Sequence, residues 1–154
     1  GGHQKAAGLT ISDKNFPEFI EKFTEYANSV LEEDDLKPDL VIDSVILPEH
    51  LNDTLVQIIQ SIGPYGEENP EPVLLLENAN MREIFSLSQG QHLKLIVQVG
   101  YRDFECVWWR KGDLKNNITF NKNFDIAFKP SINLWNGKKS LQLVLEDIKE
   151  SNQS

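Results

Sequence analysis

Few residues in this chain have types and spacings that suggest chemistry. Gly1-Gly2-His3 sets two residues without side chains beside an imidazole. Backbone amides freed of Cβ can approach an anion closely, and the imidazole can donate to a phosphate oxygen. Three terminal residues carry little information alone, and a cloning scar would read the same way. His50 and His92 sit in separate segments, without the close ligand spacing of a zinc or iron site. There is no carboxylate cluster for two-metal phosphodiester hydrolysis, no phosphate-binding P-loop and no serine nucleophile motif. The chain alone is expected to hold neither a complete active site nor a metal site.

A second pattern suits binding better. Tyr101-Arg102, Trp108-Trp109-Arg110-Lys111 and Trp135 with Lys138-Lys139 each place an aromatic ring beside a cation. Single-stranded nucleic acid takes such pairs, because bases stack on rings while phosphates meet the charge. Lys94 adds a cation on a neighbouring strand. The plainer reading makes each tryptophan a packing residue. Trp108 and Trp109 are adjacent in an alternating run, so they point to opposite faces and only one need be core. Cys106 alternates with apolar neighbours and reads as a small buried residue.

These residues need a scaffold, and 154 residues suffice for one medium domain or two small ones. Hydrophobic residues make up 40%, too many for a disordered tail. No apolar run reaches the ~20 residues of a membrane helix. One cysteine excludes an internal disulfide framework and suits a reducing, cytoplasmic setting. The chain begins without Met or a signal peptide and reads as an excised piece.

The net charge of −9 argues at first against nucleic acid. The acid is unevenly placed, however. Residues 1–70 hold four basic and 14 acidic side chains, a net of −10, whereas residues 71–154 hold 11 and 10, a net of +1. The composition changes across Gly63-Pro64-Tyr65-Gly66-Glu67-Glu68-Asn69-Pro70-Glu71-Pro72, whose Gly and Pro content marks a loop and a candidate boundary.

Before that loop the pattern is helix, strand, helix. Phe16, Phe19, Ile20, Phe23, Tyr26, Ala27, Val30 and Leu31 recur at helical spacing, with Asn15 as a candidate cap and Glu18 as its capping-box partner. Leu40 to Leu47 reads as a strand. Leu51, Leu55, Ile58, Ile59 and Ile62 form a second helical stripe.

After Pro72 alternation takes over. Val73–Leu76 running into Met81–Leu87 predicts one long, bent strand. Leu93–Val99, Phe104–Trp109, Phe124–Lys129 and Leu141–Ile148 predict four more, with turns at Ser88-Gln89-Gly90, Gly100, Gly112-Asp113 and Asn136-Gly137. Asn-Gly between strands is a strong hairpin signal, since both residues accept positive φ. Five strands with a longer link between the third and fourth match the oligonucleotide-binding barrel. A five-stranded open sheet or an SH3-like barrel is the alternative. The fold class is α+β: a partial α/β segment followed by a five-stranded OB-fold β-barrel.

Taken in order, these segments resemble the C-terminal portion of the RecJ family of single-stranded-DNA-specific exonucleases. Gly1-Gly2-His3-Gln4-Lys5-Ala6-Ala7-Gly8 is similar to the Gly-Gly-His…Ala-Ala-Gly motif of the DHH-associated domain. Residues 64–72 are similar to its Pro-Phe-Gly-x-Gly-Asn-Pro-Glu-Pro connector, and His92-Leu93-Lys94 to its His-Leu-Lys strand. Asn133-Leu134-Trp135-Asn136-Gly137 with Leu141-Gln142-Leu143 matches its last hairpin. Tyr65 stands where the family commonly has Phe, Glu68 where it has a second Gly, and Trp108 where a small residue is usual. Trp109 falls where an aromatic is usual.

The resemblance implies residues 1–47 as the end of a DHH-associated domain, 48–72 as a helical connector and loop, and 73–150 as the OB-fold domain. It implies a larger 5′–3′ exonuclease of DNA repair and recombination, acting as a monomer with Mn²⁺ or Mg²⁺ in an N-terminal DHH domain that is absent here. In that setting Gly1, Gly2 and His3 would bind the substrate phosphate, with His3 at the reaction centre. The barrel would guide single-stranded DNA through Lys94, Tyr101, Arg102, Trp109, Arg110, Lys111, Trp135, Lys138 and Lys139. The chain alone would be inactive. The competing expectations are an OB-fold module that docks a protein, and part of a DHH-family phosphodiesterase acting on short nucleotides.

Overall fold

The computed structural model describes residues 2–3, 6–32, 39–120 and 122–152. They form two compact units, which divide between Leu40 and Val41.

In the first unit, β1 (Gly2–His3) pairs antiparallel with β2 (Ala6–Ala7), His3 opposite Ala6. Helix α1 (Phe16–Val30) carries the apolar stripe read from the sequence, with Phe19 and Phe23 stacked at 5.6 Å. The Asn15 capping box is not formed. Asn15 ends a 3-10 turn over Asp13–Asn15 and sits in the helical region at φ −94°, ψ −7°. A capping side chain needs an extended backbone to reach the first free amides. Glu18 pairs instead with Lys22 one turn on, at 2.7 Å.

The second unit is a closed barrel with a helix on it. The expected strand at 40–47 shrinks to β3 (Ser44–Val45), parallel to the start of β4. Leu40, Val41, Val45 and Leu47 are exposed, so β-branched composition has no core here to hold a longer strand. Helix α2 (Asp53–Ile62) is capped by Asn52, whose Oδ1 accepts from Leu55 N–H at 3.0 Å. Its buried residues are Val56 and Ile59, while Ile58 and Ile62, expected on the inner stripe, are exposed. The Pro/Gly segment then folds back on the helix. Tyr65 donates its hydroxyl to the Ile59 carbonyl, and Gly66 and Asn69 exchange backbone hydrogen bonds at 2.9 and 3.3 Å.

Five strands close the barrel: β4 (Leu74–Leu87), β5 (His92–Val99), β6 (Arg102–Trp108), β7 (Asn123–Trp135) and β8 (Lys138–Glu150). The order is β4-β5-β6-β8-β7, and β7 pairs again with β4. That last pairing excludes the open sheet, and the strand order is that of the expected OB fold. Of the pairings among these five strands only β6–β8 is parallel, with Glu105 opposite Gln142 and Val107 opposite Val144. The long first strand bends as expected. Its register slips between Leu76 and Ala79, where Asn78 takes a φ of 56°. Leu76, Leu93, Leu95, Val97, Cys106, Ile126, Phe128 and Leu143 fill the interior with no measurable exposure, and Leu51 and Ile59 cover one end.

Candidate nucleic-acid interface

The interface is built on the outer faces of β5, β6 and β8. Burial alternates along β5, so Leu93, Leu95 and Val97 point inward while Lys94 points out. The β5–β6 register puts Lys94 opposite Val107, and the parallel β6–β8 register brings Gln142 beside Glu105. Lys94 Nζ lies 2.7 Å from Glu105 Oε2, and Gln142 Nε2 donates to Glu105 Oε1 at 2.8 Å. These three side chains floor a groove of about 750 Å³.

Its walls are aromatic and basic. On one side stands Trp109, 52% exposed, just past the end of β6. On the other stands the β7–β8 hairpin with Trp135, 72% exposed, and Lys138 and Lys139. Trp135 and Lys138 are direct cross-strand partners. The connecting Asn136 and Gly137 hold φ values of 48° and 76°, the twist that an Asn-Gly hairpin turn requires. Lys138 and Lys139 are exposed and in no ion pair among the described residues.

The tryptophan pair divides as alternation demands. Trp108 is 3% exposed and belongs to the core. Lys111 Nζ caps its ring at 5.9 Å from the centroid, so this cation is drawn toward the core aromatic. Arg110 follows Trp109 in a left-handed turn with φ of 58° and lies beside His92 rather than in the groove.

Tyr101 and Arg102 are at the other end of β6, about 25 Å from Trp109 at strand rise. Tyr101 is fully exposed. Arg102 is used by the fold: its guanidinium donates to the carbonyls of Pro48 and Leu51, the latter at 3.0 Å, and lies over the Phe104 ring. Thus Lys94, Trp109, Trp135, Lys138 and Lys139 converge, whereas Tyr101 and Arg102 do not. Gly1 lies outside the described residues, and of Gly2 and His3 only the backbone pairing is described.

Glu105 and Gln142 were not marked by the sequence reading. Both occupy outward positions of alternating runs, but their meeting depends on a parallel register between segments 37 residues apart. Among the described residues no three His, Cys, Asp or Glu side chains gather as a metal site needs.

A family model described as the RecJ OB domain matches residues 42–147. The single-stranded-DNA-specific exonuclease RecJ of Bacillus subtilis is 30% identical over 96% of this chain and 19% of its own length. The RecJ of Thermus thermophilus is 31% identical over 97% of this chain and 21% of its own. This chain therefore spans about a fifth of those relatives. A crystal structure of RecJ in complex with Mg²⁺ from Thermus thermophilus superposes with a TM-score of 0.77 at 26% identity, covering 99% of this chain and 23% of that one.

Proposed function

Because this chain belongs to the RecJ OB domain family, we propose that it is the strand-guiding part of a single-stranded-DNA-specific exonuclease acting 5′ to 3′ in DNA repair and recombination. The observation that carries the reading is the groove with Trp109 on one wall and Trp135, Lys138 and Lys139 on the other. Two exposed rings flanking a groove offer stacking faces to bases of any identity, and Lys138 and Lys139 offer charge to the backbone between them. Contact of this kind is tolerant of sequence and sensitive to salt.

Gly1, Gly2 and His3 belong to the same proposal. The curated relatives align over 96% of the chain, and in the family reading this stretch holds the phosphate of the delivered strand, with His3 at the reaction centre. Hydrolysis itself is assigned to an N-terminal DHH domain outside this chain, carrying Mn²⁺ or Mg²⁺. No helix among the described residues is long and apolar enough to cross a membrane. A monomeric cytoplasmic enzyme is the proposed setting.

The test is a titration of a fluorescent oligo-dT into the purified chain at several salt concentrations. Binding that weakens with salt, and weakens further in Trp135→Ala and in Lys138→Ala/Lys139→Ala, supports the reading. No binding at high micromolar protein overturns it in favour of a protein-docking barrel. Metal-dependent degradation of the oligonucleotide by the chain alone overturns the assignment of hydrolysis to another domain.

A further inference from the structure

We infer that His92 and Arg110 form a phosphodiester-binding subsite at the β4–β5 turn, next to the groove and sharing Trp109 with it; the inference rests on the groove reading above. The backbone N–H of Arg110 donates to His92 Nδ1 at 2.9 Å. A neutral imidazole carries one proton, so an accepting Nδ1 leaves that proton on Nε2. His92 thereby becomes a donor of fixed tautomer. Its ring stands nearly perpendicular to that of Trp109, with centroids 4.9 Å apart and planes at 80°.

The same hydrogen bond pins Arg110 at a φ of 58°, a conformation unfavourable for any residue with a side chain. A second link locks the neighbouring turn. Gly112 N–H donates to the Gln91 carbonyl at 3.2 Å, and a Cβ on Gly112 would lie 1.6 Å from the Gly90 carbonyl oxygen. The two turns are therefore stitched before any ligand arrives, so little ordering cost remains at binding.

Gln91, His92, Trp109 and Arg110 line one hollow. The Arg110 side chain is exposed and in no ion pair among the described residues. His92 and Arg110 line the same hollow, and a guanidinium fork together with a neutral N–H donor suits the two free oxygens of a phosphodiester, while the shared tryptophan suits the attached base. Among the neighbouring charges, Lys111 is turned onto the Trp108 ring. Asp113 lines the adjoining hollow with Gly90 and Gly112 and opposes an anion.

The test uses the full chain and fluorescent oligo-dT. Arg110→Gln should weaken binding about tenfold and flatten the salt slope by about 0.7, the share of one single-strand phosphate. Arg110→Gly suits the turn's φ, so it should fold at least as stably as the parent and still bind as weakly as Arg110→Gln. Asp113→Asn should bind more tightly. Ring ¹⁵N spectra should show His92 protonated at Nε2 and not at Nδ1, with the Nε2 signal shifting as oligonucleotide is added. Unchanged affinity and slope in both Arg110 variants, while Trp135→Ala weakens binding, overturns the subsite and leaves the groove standing. A proton on Nδ1 in the free protein overturns the donor assignment. If Trp135→Ala and Lys138→Ala/Lys139→Ala also bind like the parent, the groove reading fails and the subsite falls with it.

Discussion

Lys94 Nζ sits 2.7 Å from Glu105 Oε2 on the floor of the groove. The cation that the sequence offers to a phosphate is thus already matched by a carboxylate, which Gln142 holds from its other oxygen. Net attraction at the floor is small, and the positive potential of the groove comes from its rim.

Glu105→Gln tests this balance. It should leave Lys94 free to meet a phosphate, strengthen single-strand binding at low salt and steepen the salt slope by about 0.7. Lys94→Ala should do the reverse, because it leaves Glu105 unmatched beside the strand. Paired salt titrations of the two variants check both directions.

The two kinds of tryptophan should separate cleanly. Trp135→Ala removes a largely exposed ring. It should cost about 1–3 kcal/mol of binding, the value of one stacked base, with little change in melting temperature. Trp108→Ala empties a core position and should cost about 3–5 kcal/mol of folding stability. Anisotropy and urea unfolding of both variants give the four numbers.

Two glycines should fail for different reasons. A Cβ at Gly137 meets nothing within 4 Å, so Gly137→Ala costs only the left-handed φ of 76°, about 1–2 kcal/mol. At Gly112 the obstacle is a backbone carbonyl, which cannot swing aside as a side chain can. Gly112→Ala should therefore be the more damaging and should displace the His92 ring signals, whereas Gly137→Ala should leave them in place.

Stability should fall in alkali through Cys106. Burial, with the charge of Glu105 added, raises the thiol well above its ordinary value of 9.0. Above about pH 9 the unfolded chain releases this proton while the folded chain keeps it. Stability therefore drops with rising pH by at most about 1.4 kcal/mol per unit for this one group. Urea unfolding between pH 8 and 10 should show a shallower decline in Cys106→Ala than in the parent. Iodoacetamide should label Cys106 only after denaturation.

Alternation made the barrel legible, because a half-buried strand writes its two faces into the sequence. Strand limits were less so. The run read as ending at Lys129 continues through Pro130, which pairs with Leu143, as far as Trp135. Proline breaks the pattern of donors but not of side-chain facing. Trp109 looked like a strand residue because Phe104, Cys106 and Trp108 set the rhythm, yet the left-handed turn at Arg110 ends the strand before it. The rim residues were legible as ring–cation neighbours. The floor was not, since Lys94, Glu105 and Gln142 meet only through strand register. Arg102 misled for a related reason: its carbonyl partners at Pro48 and Leu51 lie more than 50 residues away in sequence.

The β4–β7 pairing that closes the barrel has a consequence for how such a molecule can change. Each of the five barrel strands has a ladder partner on both sides along part of its length, which leaves little open edge around the closed ring to recruit a stray strand from another copy. The groove itself is lined by side chains of the outer surface. Those can be exchanged one at a time with the ring of strands intact, so preference for length, base or charge of the bound polymer can drift or be engineered while the barrel stays as it is.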